Sequence, residues 1–139
     1  MGDSGVLKMG ECLCGAMRFE VSAAPVLVEI CHCNMCRKAT GAPVMAWAGV
    51  PRDGFRWLQG EPAGFASSPG VTRSFCGRCG TSLTHFSERF DTEIYVSLAA
   101  LDDPEALPPE VHIWTSDDLS WFETADALPR CKKSRSDEM

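Results

Sequence analysis

Ile30-Cys31-His32-Cys33-Asn34-Met35-Cys36-Arg37 is the stretch on which the rest of the chain depends. Three thiols fall within six residues of it. In the C-x-C half, alternate side chains of an extended chain point the same way. In the C-x-x-C half, a tight turn brings both sulfurs onto one point. Cys31, Cys33 and Cys36 therefore converge using local backbone alone. The result is a three-thiolate nest for a soft or borderline metal, zinc first among them. A structural zinc takes four protein ligands, whereas a catalytic zinc keeps one position open. Three local ligands with no evident fourth point toward chemistry rather than scaffolding.

Working outward, four further cysteines form two pairs, Cys12/Cys14 and Cys76/Cys79, each followed by a glycine, Gly15 and Gly80. The two pairs together make a four-thiolate tetrahedral site that staples the start of the domain to its middle, and the triplet stays whole as a second site. On spacing alone, a mixed division in which one pair borrows two triplet thiols stays open. His32 lies between two ligands and should point away from them. His85 and His112 are the histidines that the fold could deliver as a distant fourth ligand. Cys131 follows the last apolar anchor, Ser120-Trp121-Phe122, and reads as a bystander thiol. Arg37 directly follows the last triplet thiol, and its planar fork suits a carboxylate, so it is the expected substrate-binding cation.

The chain carries 13 basic and 19 acidic residues, net −6, which argues against a nucleic-acid partner, because such proteins present a basic face. The same balance gives no reason for attraction to anionic membrane. The first residues lack a basic start and an apolar run, and no stretch approaches the ~20 apolar residues needed to span a bilayer. A cytoplasmic protein is expected, with its thiols given to metal and not to disulfides.

Alternation of apolar and polar residues, or a β-branched and apolar run as at 26–30, predicts strands over 16–22, 26–30, 44–50, 55–58, 64–67, 81–86, 93–98 and 111–114. Short helical turns are expected over 37–41, ending at Gly41, and over 101–107. Frequent Gly/Pro turns with no long helix indicate one mostly β domain over residues 10–129, between a flexible start at 1–9 and a flexible tail at 130–139.

With these residues in view, the chain resembles the glutathione-dependent formaldehyde-activating enzyme family, which includes centromere protein V. The resemblance is carried by Cys12-Leu13-Cys14-Gly15, by Cys31 to Arg37 with Gly41, and by Phe75-Cys76-Gly77-Arg78-Cys79-Gly80. Leu101-Asp102-Asp103-Pro104 and His112-Ile113-Trp114 also match. It implies an Mss4-like β-tent of small antiparallel sheets stapled by zinc. It also implies two zinc ions: a structural one on Cys12, Cys14, Cys76 and Cys79, and a functional one on Cys31, Cys33 and Cys36. The activity it implies is the carbon–sulfur lyase type, joining glutathione and formaldehyde as S-hydroxymethylglutathione.

Two other classes compete with a zinc enzyme acting on a thiol adduct. One is a non-catalytic zinc module that carries a thiol or binds a protein. The other is a methionine sulfoxide reductase, for which Cys131 is the sole candidate thiol.

Overall fold

The computed structural model describes residues 7–135. Its strands are β1 (Lys8–Glu11), β2 (Arg18–Val21), β3 (Leu27–Cys31), β4 (Met45–Pro51), β5 (Phe55–Gln59), β6 (Ala63–Ser68), β7 (Val71–Phe75), β8 (Ser82–Ser87), β9 (Glu93–Ser97) and β10 (Val111–Ile113). The one α-helix among the described residues, α1 (Asn34–Thr40), ends on Gly41 in the left-handed conformation. The mostly β architecture with a few short helical turns is as the sequence predicts. No helix among the described residues is long and apolar enough to cross a membrane.

A three-stranded sheet runs β1-β2-β5, and a seven-stranded sheet runs β10-β3-β4-β9-β8-β7-β6. The larger sheet departs from the expected small antiparallel form. It is wide, and β10 joins β3 in parallel.

Because side chains alternate along each strand, the large sheet has two differently used faces. Val28, Ala48, Val50 and Val96 point toward the small sheet and pack with Phe19, Val21 and Met17. Leu27, Cys31, Met45, Trp47, Tyr95, Val111 and Ile113 build a second core on the other face. Register places Arg73, His85, Tyr95 and Gly49 in one row across four strands of that second face. Gly49 is required there, since an added Cβ would lie 2.8 Å from Tyr95 Cε2.

The ordered chain runs past both expected boundaries. Lys8 and Met9 are strand residues, paired with Val21 and Glu20. The expectation of a loose tail does not hold for residues 130–135. Cys131 is only 2 % exposed, its N–H donates to His112 O at 2.8 Å, and Arg135 pairs with Glu93 at 2.8 Å. Backbone pairing and burial outweigh the polar composition that suggested fraying. Conversely, Trp121 is no anchor, being 72 % exposed. Residues 1–6 and 136–139 of the expected flexible ends lie outside the described residues.

Candidate metal centres

The two cysteine pairs sit on twin turns. After β1, Gly15 N–H donates to Cys12 O at 3.0 Å, and after β7, Gly80 N–H donates to Cys76 O at 2.8 Å. Cys12 N–H reaches Met17 O and Cys76 N–H reaches Thr81 O, both at 3.0 Å. Gly15 and Gly80 have φ of 81° and 83°, a conformation that costs other residues 1–2 kcal/mol or so. One turn belongs to the small sheet and the other to the large sheet, so a shared ion would tie the two sheets together.

The sulfurs fit such an ion. With metal–sulfur bonds of about 2.3 Å at the tetrahedral angle, thiolates lie about 3.8 Å apart. Cys12 and Cys14 Sγ are 3.6 Å apart, Cys14 and Cys76 Sγ 3.8 Å, and all four sulfurs lie within 4.8 Å of one another. Backbone N–H groups of Met17, Arg78 and Cys79 point at Cys12 or Cys76 Sγ from 3.2 to 3.4 Å. The Thr81 hydroxyl, 3.2 Å from Cys79 Sγ, brings that thiol down to about 5.

The triplet gathers at the point where β3 becomes α1. Cys31 closes the strand, Cys33 precedes the helix and Cys36 sits in its first turn, with their sulfurs within 4.8 Å of one another. No His, Asp, Glu or further Cys among the described residues joins either group. Hydrogen bonds from Cys31 and Cys36 pull Cys33 down to about 2, and the bond to Cys33 pushes Cys31 up. Three sulfurs this close share their protons, and a bound cation would displace them.

Beside the triplet loop a chain of side chains runs from buried His32 and His112 out to exposed Asp126. His32 Nε2 lies 2.8 Å from His112 Nδ1, and His112 Nε2 lies 3.0 Å from the carboxylate of Asp126. His32 thus points away from the sulfurs, as expected, and His112 is occupied at both nitrogens.

A cavity of about 490 Å³ opens onto Cys31, Cys33 and Cys36. Arg73 is buried on its wall, with both terminal guanidinium nitrogens 3.6 Å from Cys36 Sγ and Nε donating to Ser67 Oγ at 3.1 Å. Next in the same row, the His85 ring stacks on Tyr95 at 4.8 Å and meets Trp47 edge-on at 4.6 Å. Burial brings His85 down to about 3, so its imidazole is neutral at pH 7. Tyr95 donates its hydroxyl to Glu93 Oε1 at 2.9 Å, and the same oxygen accepts from Arg135. Burial pushes Glu29, on the cavity floor, up to about 8.

Arg37 is not on the wall. Its guanidinium donates to His32 O and to Asp117 O at 2.6 Å, clamping the triplet loop to the turn after β10. Arg37→Ala is therefore expected to lower stability by about 1.5–3 kcal/mol, the range for hydrogen bonds made by a charged group. Urea denaturation measures this, and an unchanged midpoint would remove the clamp.

Residues 7–117 match the profile of the glutathione-dependent formaldehyde-activating enzyme family. The chain belongs to that family. A Halomonas elongata protein provisionally named a glutathione-dependent formaldehyde-activating enzyme is 32 % identical over 131 residues, covering 85 % of this chain and 81 % of that protein. An uncharacterised lyase of Schizosaccharomyces pombe is 33 % identical over 75 residues, 53 % of each chain. A crystal structure of a Rhodobacter sphaeroides protein superposes with a TM-score of 0.58 at 25 % identity, covering 68 % of this chain and 87 % of that one. As a formaldehyde-activating family member, the chain has both cysteine clusters inside the matched region, whereas Cys131 falls outside it.

Sequence reading missed Arg73, His85, Tyr95 and Arg135 as wall residues, because cross-strand register brings them together. Glu29 did carry a signal, being an acid inside the apolar run Val26-Leu27-Val28-Glu29-Ile30, two residues before Cys31.

Proposed function

We propose that both cysteine clusters hold zinc, structurally at Cys12, Cys14, Cys76 and Cys79 and functionally at Cys31, Cys33 and Cys36. On this reading the protein is a carbon–sulfur lyase-type enzyme that joins formaldehyde to a low-molecular-weight thiol, glutathione in the first instance. The observation that supports it is the cavity, which exposes three convergent sulfurs beside cationic side chains.

The reaction balances without an oxidant. The thiol loses its proton, a sulfur–carbon bond forms, and the carbonyl π bond breaks as its oxygen takes up a proton. Zinc, when bound, stabilises a thiolate and polarises a carbonyl. The cavity brings the thiol and the aldehyde together, which supplies proximity, and its size lies within the range of small-molecule sites. Arg73 sets a fixed positive charge beside the thiolates and favours a ligand that bears a carboxylate. Apolar lining from Met35, Phe90 and Ile113 limits water around the reacting atoms.

Calorimetric titration of the zinc-loaded protein is the test. Glutathione and the neutral thiol mercaptoethanol should both bind. Arg73→Ala should weaken glutathione by about 1.5–3 kcal/mol and leave mercaptoethanol unchanged. In carbon-13 NMR with labelled formaldehyde, the protein should speed exchange between free glutathione and its adduct. Thiol binding without faster exchange would make the protein a carrier, and no binding by any thiol would end this reading.

A further inference from the structure

Glu29 is a buried acid on the cavity wall. It is 4 % exposed and lines the cavity two residues before Cys31. A carboxylate costs free energy to bury, and a cationic group on a ligand in the cavity would offset that cost. The neighbouring cation, Arg135, is shared with a second acid. Arg135 is committed to Glu93 Oε1 at 2.8 Å and lies over the Phe90 ring at 4.8 Å.

The surroundings of Glu29 suit one kind of group. Its cross-strand neighbours are Trp47 on β4 and Val111 on β10, and the Tyr95 ring lies in the adjoining row of the same face. A carboxyl beside aromatic rings is a site for an ammonium, which gains both an ion pair and the negative faces of the rings. Glu29 and Cys31 are alternate residues of β3, so they share a face and stand about 6.6 Å apart along the strand. An ammonium on the same ligand therefore lies several bonds from the sulfur. A γ-glutamyl peptide thiol has that arrangement, and its carboxylates suit Arg73.

We propose that Glu29 is a specificity residue, reading the ammonium of a zwitterionic amino-acid thiol whose sulfur is held at the three-cysteine centre. The inference rests on the thiol reading of the cavity given above.

Its test compares glutathione with its des-amino analogue, glutaryl-cysteinyl-glycine, by calorimetry on the zinc-loaded protein. The unaltered protein should bind glutathione at least about 10-fold tighter, and Glu29→Gln should bring the two ligands to equal affinity. Equal affinity of the unaltered protein for both would overturn the role of Glu29 and leave the thiol reading intact. Discrimination that survives in Glu29→Gln would also overturn it. Binding of neither ligand would overturn both readings. The comparison on unaltered protein decides the matter even where Glu29→Gln does not fold or lacks its full zinc content.

Discussion

Cys76→Ser is expected to unfold the domain. Structural zinc in small domains contributes an apparent ~10–16 kcal/mol at neutral pH, and that binding energy is folding energy. A domain has a net stability of about 5–15 kcal/mol in total. Losing one of four ligands therefore removes an amount comparable with everything that holds the fold. The structure adds a local reason. Cys76 is buried, its sulfur receives two backbone N–H groups, and its turn joins the large sheet to the turn carrying Cys12 and Cys14. Circular dichroism and solubility after expression should show loss of the folded state, and Cys12→Ser should behave alike. A soluble, cooperatively melting Cys76→Ser protein would dismiss the structural assignment of this site.

Cys33→Ser is expected to do the opposite. The triplet sits at the mouth of a cavity and does not bridge two sheets, and Cys33 itself is only half-buried. The domain should remain folded, bind one zinc where the unaltered protein binds two, and lose all thiol binding. Metal analysis, melting and thiol titration on one preparation check the three parts. Unfolding as complete as that of Cys76→Ser would mean that the two clusters are not divided into a structural and a functional centre.

What the sequence made legible was local. C-x-C and C-x-x-C spacings fix sulfur positions over a few residues, so the triplet and each pair could be read locally, while the joining of the two distant pairs rests on the fold. Glycines after the thiols announced the twin turns, and strand alternation announced most of the sheet. What stayed hidden depended on register between distant strands. Arg73, His85 and Tyr95 lie 12 and 10 residues apart in sequence, and only the pairing of β7, β8 and β9 lines them up. Arg37 misled because nearness in sequence to Cys36 says nothing of which way a helical side chain leaves the turn. Residues 130–135 misled because composition does not reveal that His112 offers them a backbone partner.

The parallel pairing of β10 with β3 has a consequence for making the protein. Contacts across this seam, such as Val28 N–H to Glu110 Oε1, span 82 positions of sequence. Segments that must meet over such distances find one another slowly, since the loop between them has to be closed first. Until they do, the strand that carries Cys31 lacks one of its two neighbours. During that interval the nascent thiols stand open to air and to one another. Refolding without a reductant and a metal supply therefore invites mispaired disulfides ahead of the native sheet, and both are best present from the first moment of dilution.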